Sequence, residues 1–340
     1  MGELAAAATW LRKRAGAAAI DNFFRGAAWL GSLHPNARPQ KHGIEVLRDL
    51  PYKDGGRKEY LLDVYRPKAR KNKKLPVVFY IHGGGFRILS KDTHWVMGLA
   101  FARQGYLVFN ISYRLAPAHP FPAGLEDCVD ALAWVKKNAE SFGGDAERIV
   151  IAGESAGANL STALTAMCCF RREEPLAKRA FDLGIVPKAL LPYCGILQVS
   201  DAARFRRKKP KLSEFFGDRL FEVEHAYLGR EPGRHGALLA LADPLVLLES
   251  DAVPERPLPP CFATVGTADP LLDDTRRLAR ALAKRSVPHE ARYYPGEPHA
   301  FHALVWRPNA RQCWADTYRF LAEHLPEPQP AASDYVAASA

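Results

Sequence analysis

Residues 149–170 read IVIAGESAGANLSTALTAMCCF, and the fold can be worked outward from them. An apolar run ends in Gly153-Glu154-Ser155-Ala156-Gly157 and passes straight into a helical stretch. The small residues around Ser155 permit a tight strand-to-helix turn, which lifts the hydroxyl above a sheet and sets the Ala156 N–H at a helix start. On either side lie VVFYIH (77–82) and YLVFNISY (106–113), nearly continuous apolar runs of the kind found in strands buried on both faces. GIEVLRDL (43–50), EYLLDVY (59–65), KALLPYC (188–194), PCFATVG (260–266) and HEARYY (289–294) add further strands. Helical patterns at about 92–103, 125–140 and 309–325 fall between or after them. Alternating strand and helix predicts an α/β protein with a mostly parallel central sheet flanked by helices.

The alternation lapses between 197 and 255, where a basic run, a helical stretch (LSEFFGDRLFEVEHAYLG) and a second apolar helix (ALLALADPLVLLES) occur. This reads as a helical cap inserted over the strand ends. The expected organisation is therefore cap helices and a linker over 1–45, sheet core over 46–196, cap insertion over 197–255, core again over 256–326, and a loose tail over 327–340. Trp10, Leu11, Ile20, Phe23, Phe24, Trp29 and Leu30 give the N-terminal segment a large apolar face that needs a surface to pack on.

With 340 residues, 48% hydrophobic and 25% charged, the chain suits a globular protein rather than a disordered or fibrous one. Twelve cations in 66–74 (RPKARKNKK) and 204–211 (RFRRKKPK) account for the net charge of +10 and leave the rest close to neutral. Both runs contain Pro and lack apolar periodicity, so they read as solvated loops before they read as a binding patch. No nucleic-acid-binding motif is present, so no nucleic-acid partner is expected. Six cysteines without a C-x-x-C pair indicate neither a disulfide scaffold nor structural zinc, and point to a reducing, cytoplasmic setting. The N-terminus is a poor secretory signal, and no apolar window approaches 18 residues, so no integral membrane segment is expected.

His82-Gly83-Gly84-Gly85-Phe86 closes the strand at 77–82. Three consecutive glycines are entropically costly, and they suit backbone N–H groups that must approach a reacting carbonyl closely. His82 is expected to brace this loop rather than act as a base. A serine nucleophile needs a base and an orienting acid, in the chain order Ser, Asp, His. Asp269 lies just beyond the strand CFATVG and His299 in a Gly/Pro loop after HEARYY, so both can meet Ser155 at the strand ends. Asp273 and Asp274 compete for the acid role but fall within the next helix, where they suit its N-terminus. His302, three residues after His299, permits an H-x-x-H metal reading, but no further ligand stands at zincin spacing, so no metal is expected.

HGGGF (82–86), YRLAPAHPFPA (113–123), GESAG (153–157), DPL (269–271) and G-x-x-H-x-F (296–301) occur in the order and spacing of the hormone-sensitive lipase-like carboxylesterases, which the chain therefore resembles. The resemblance implies an α/β-hydrolase fold with a helical cap, and cofactor-free hydrolysis of small esters with short to medium acyl chains. It also implies Ser155 as nucleophile, His299 as base, Asp269 as acid, and Gly83, Gly84, Gly85 and Ala156 around an oxyanion hole, supported by His82 and Glu154. Two departures stand out: Glu154 replaces the family's usual Asp before the serine, and Ala118 its usual acidic residue. Phe86, Phe215, Phe216, Tyr227, Leu238 and Leu239 are candidates for a substrate pocket, although packing the cap onto the sheet accounts for them equally well. The same triad would serve an amidase or arylformamidase, and the same fold a silent ligand receptor. A membrane-surface role for 1–33 and a homodimer are further readings.

Overall fold

The structure, a computed structural model, describes residues 21–22, 24–68, 74–208 and 213–325, without the Phe215 side chain. Trp10, Leu11, Ile20 and Phe23, most of the first basic run, the end of the second, and the tail expected over 327–340 lie outside the described residues.

Eight strands form one sheet: β1 (Ile44–Pro51), β2 (Leu61–Pro67), β3 (Leu75–Ile81), β4 (Leu107–Ile111), β5 (Gly144–Glu154), β6 (Ala189–Tyr193), β7 (Cys261–Gly266) and β8 (His289–Tyr294). Their spatial order is β1-β2-β4-β3-β5-β6-β7-β8. The pairs β1/β2 and β2/β4 are antiparallel and all others parallel. Along β3, Val77, Phe79 and Ile81 join one buried cluster while Val78 and Tyr80 join another on the opposite face. Because side chains alternate across a strand, burial on both faces requires apolar residues at every position, which is why these strands read as unbroken runs.

The helices are α1 (24–33), α2 (Trp95–Arg103), α3 (Ala123–Asn138), α4 (Ala156–Cys169), α5 (Pro175–Asp182), α6 (Ala203–Lys208), α7 (Glu214–Leu228), α8 (Pro244–Glu249), α9 (Leu272–Lys284) and α10 (Pro308–His324). Residues of α3, α4 and α5 pack on the Val77 side, and residues of α2 and α10 on the Val78 side. Every residue of α4 is buried, which explains its small side chains and its lack of a polar face. Helix α5 was not anticipated: at eight residues it is too short to display a helical period.

Within 197–255 the expected first helix is α7, capped by the Ser213 side chain accepting from the Phe216 N–H. The expected second helix is in fact two elements, a 3-10 helix over Pro232–Leu241 and then α8, with Pro244 opening the latter. Leu245, Leu247 and Leu248 of α8 share a buried cluster with Leu278, Ala281 and Leu282 of α9 and with Leu190 and Cys261 of the sheet.

The second basic run is also not a solvated loop where it is described. Residues 203–208 are helical, and Arg204 is buried against Asp274 at 2.6 Å with its guanidinium over the Phe205 ring. Arg206, Arg207 and Lys208 pair with Asp218, Asp201 and Asp273. A cation already committed to a carboxylate contributes little to an external anion site.

Helix α1 leans on α2, with the Trp95 indole N–H donating to the Ala28 carbonyl at 3.1 Å. Trp29 nevertheless stays 63% exposed. The groove beside α1 is lined by Arg25, Trp29, Arg38, Arg48, Tyr65 and Trp95 and includes none of the candidate site residues. No helix among the described residues is long and apolar enough to cross a membrane.

Candidate active site

Ser155 is the single residue between β5 and α4, at φ 54° and ψ −114°. That region is one glycine favours, and an L-residue is held there only by its surroundings. Its N–H donates to the Tyr193 carbonyl at 2.8 Å, and its own carbonyl accepts from Asn159 and Ile196 at 3.2 and 3.3 Å. The flanking glycines are required by space. A Cβ at position 153 would lie 2.4 Å from the Gly157 carbonyl oxygen, and one at 157 only 2.1 Å from that of Ile81.

His299 and Asp269 converge on this serine. His299 Nε2 is 3.0 Å from Ser155 Oγ, and His299 Nδ1 is 2.8 Å from Asp269 Oδ2. Asp269 is fully buried, and its Oδ1 accepts the Leu271 N–H at 2.8 Å. A carboxylate can only accept, so the network assigns the proton to Nδ1 and leaves the Nε2 lone pair facing the hydroxyl. Burial opposes the imidazolium, but the Asp269 carboxylate and the Cys194 sulfur beside the ring outweigh it and raise the His299 pKa well above 6.5.

The three loop glycines answer to three different neighbours. A Cβ on Gly83 would press on the Glu154 backbone at 3.0 Å, one on Gly84 (φ 111°) would lie 2.1 Å from the Ile88 oxygen, and one on Gly85 (φ 59°) 2.9 Å from Val223 of α7. His82 Nδ1 donates to the Gly83 carbonyl at 2.7 Å while its ring stacks on Tyr113. Burial depresses the His82 pKa to about 3, so this ring is neutral and fixes the peptide plane between Gly83 and Gly84. Ala156, the first residue of α4, carries an N–H with no intrahelical partner.

Glu154 does more than support the loop. Its Oε1 accepts from His94 Nε2 at 2.7 Å, and its Oε2 lies 2.7 Å from His302 Nε2. Burial would raise its pKa, but the two histidines hold it well below 4.5. The carboxylate thus joins the end of β5, the segment entering α2, and the loop bearing His299. Sequence reasoning missed both partners, and it weighed His302 only as a metal ligand; that ring instead stacks on Tyr193. It also missed Cys194, whose sulfur lies beside His299. The position of Cys194 directly after β6, next to the strand bearing Ser155, was the available signal.

Asp274 accepts the Leu197 N–H at 2.9 Å as well as Arg204, and Asp273 meets Lys208, so both face the insertion and neither reaches His299. Among the pocket candidates, Phe86 and Tyr227 are buried against each other and join α7 to the glycine loop, which is packing rather than an open lining. Phe216 is 44% exposed, and Leu238 and Leu239 pack against the core. Phe215 lies outside the described side chains.

A model of the alpha/beta hydrolase fold family matches residues 78–303. The esterase LipW from Mycobacterium marinum is similar in structure, at 25% identity over 91% of this chain and 90% of its own, with a TM-score of 0.72. A hyperthermophilic esterase from the archaeon Pyrobaculum calidifontis is 25% identical over 90% and 93%, with a TM-score of 0.68. Esterase B from Lactobacillus rhamnosis, 19% identical over 89% and 96% with a TM-score of 0.67, shares the fold.

Proposed function

The chain belongs to the alpha/beta hydrolase fold family, as a hormone-sensitive lipase-like member, and from that premise we propose that it is a serine carboxylesterase acting on small esters with short to medium acyl chains. The observation that carries this reading is the unbroken chain of contacts from Asp269 through His299 to Ser155, 2.8 and 3.0 Å. Structural relatives named as esterases support it.

In this reading Ser155 Oγ attacks the ester carbonyl as His299 Nε2 takes the hydroxyl proton. Asp269 holds the imidazole in the tautomer that leaves Nε2 free, and it stabilises the imidazolium that forms. The tetrahedral oxyanion is received by backbone N–H groups of the Gly83–Gly85 loop and of Ala156. Collapse expels the alcohol, protonated by His299, and leaves an acyl-Ser155 ester, which water cleaves by the same steps in reverse. Helix α7, seated on Gly85 through Val223 and on Phe86 through Tyr227, limits the room above the loop and so favours the shorter acyl chains. The six unbridged, buried cysteines suit a reducing cytoplasm.

The test is a series of aryl esters from acetate to palmitate, with matched amides in parallel, assayed on the wild type and Ser155→Ala. Hydrolysis of the shorter esters, lost in the variant, together with a single organophosphate adduct on Ser155, is the expected outcome. Ester hydrolysis retained by Ser155→Ala, or amides cleaved faster than esters, would overturn the assignment.

A further inference from the structure

Directly after β6 the chain turns at Cys194, whose φ of 40° is rare for a residue with a side chain. Its N–H donates to the Thr264 carbonyl at 2.7 Å, and its side chain lies beside His299 and Asp269. The Cys194 sulfur, a carboxylate oxygen of Asp269 and a ring nitrogen of His299 all lie within 4.8 Å of one another. Among the described residues this is the one group of three such donors. A thiolate, an imidazole and a carboxylate together make a donor set suited to zinc, with one position left for water.

Metal binding at these three donors would require small movements of their side chains. Zinc bound at about 2.0–2.3 Å from each ligand holds tetrahedral ligand atoms roughly 3.3–3.8 Å apart. The Asp269–His299 contact of 2.8 Å would have to open by about half an ångström for that geometry, and the sulfur, within 4.8 Å of both, would have to close by up to about 1 Å. His299 is 30% exposed and so provides a way in, whereas Cys194 and Asp269 are buried behind it.

We infer that Cys194, Asp269 and His299 form an inhibitory zinc site, in which the metal takes the imidazole and carboxylate away from Ser155. The inference rests on the reading of His299 as the base. Binding exchanges a proton for metal: the thiol proton leaves to solvent, and where Nδ1 is the ligand its proton moves to Nε2, so the imidazole stays neutral. No electron is transferred. Whichever nitrogen is taken, the lone pair facing Ser155 is lost, to the metal at Nε2 or to the proton that moves there, so the zinc-bound form does not turn over. Cys194 is thereby a regulatory ligand that the reaction itself does not use.

The full-length chain tests this with two metals. Cadmium, which reports a thiolate bond by its ultraviolet charge-transfer band, is titrated into wild type, Cys194→Ser and Cys194→Ala, each checked for fold by circular dichroism. Zinc is titrated into the ester assay of each protein against its own metal-free rate, with reversal by chelator. The expected result is one cadmium band per wild-type chain that is absent from both variants. Chelator-reversible zinc inhibition should need at least about 100-fold more metal once the sulfur is gone, since losses in the outer shell alone cost 10–100-fold. A band that persists in both variants, or equal zinc sensitivity in all three proteins, overturns the site. If the wild type hydrolyses no ester, it is the esterase reading that fails, and the cadmium band still decides the metal site.

Discussion

The rings of Phe86 and Tyr227 lie face to face, 3.7 Å between centroids and 10° from parallel. One belongs to the glycine loop and the other to the last turn of α7, so this stack fastens the insertion to the loop proposed to receive the oxyanion. Phe121 meets the same tyrosine edge-on at 5.4 Å. The position of the loop therefore depends on a helix more than 120 residues away in sequence.

Truncating Tyr227 to Ala should destabilise the protein by about 3–5 kcal/mol, the range for a buried aromatic. It should also lower kcat by loosening the loop, although no triad residue is touched. Tyr227→Phe should be neutral or mildly stabilising, because the buried hydroxyl has no hydrogen-bond partner among the described residues. Urea unfolding and steady-state kinetics on both variants decide this, and a loss in Tyr227→Phe would show that the hydroxyl matters.

The pH profile should reflect the raised His299 pKa. A base must be neutral to accept a proton, so kcat/KM should fall as pH drops through a value above 6.5, and not at 6.5 as an unperturbed imidazole would give. Asp269→Asn removes the carboxylate that raises this pKa, so the acid limb should move down. The plateau should drop by about 10⁴ because the imidazole tautomer is no longer held. An acid limb that stays in place in Asp269→Asn would contradict the electrostatic argument.

Ser155 should be a site where stability and activity oppose each other. Its backbone conformation costs an L-residue on the order of 1–3 kcal/mol. Ser155→Gly should therefore raise the melting temperature by a few degrees while abolishing hydrolysis, and Ser155→Ala should abolish hydrolysis without that gain. Calorimetry on the two variants distinguishes relief of strain from a general effect of losing the hydroxyl.

Glu154→Gln should destabilise the fold by about 1–3 kcal/mol, since a buried charge-assisted contact is lost. The folded pKa of Glu154 is depressed, so its contribution is fully present above the unfolded value of about 4.5 and is lost as pH falls through the lower folded value. The stability difference between wild type and Glu154→Gln should accordingly be constant near neutral pH and shrink below about 4.5. A difference independent of pH down to 3 would mean that the carboxylate charge is not what the two histidines hold.

What could be read from the chain divides along the range of the interactions. Strand β3, most of β4 and the second half of β5 are legible because burial on both faces favours an apolar residue at nearly every step. Gly153 and Gly157 are legible as a tight turn, and Gly153 is crowded by Gly157 within it, but the oxygen that crowds Gly157 belongs to Ile81 of β3, which the turn alone does not reveal. Arg204 was misread because a buried guanidinium looks like any other in a basic run until Asp274, 70 residues on, is placed beside it. His94 and His302 escaped for the same reason, since each has meaning only across Glu154. The aromatic residues of the insertion are ambiguous by nature, and only the observed stack makes Phe86 and Tyr227 packing groups.

The placement of β5 bears on how the molecule can breathe. Val150, Ile151 and Ala152 are paired on one side to β3 and on the other to β6, and the Ser155 amide continues that ladder onto Tyr193. Amide hydrogen exchange should be slowest along this strand, occurring only on global opening. Exchange should be faster in α7, which packs against the glycine loop, and in the loop carrying His299. Admission of substrate can then proceed by local opening of those two segments, while Ser155 remains fixed to the part of the protein that opens last.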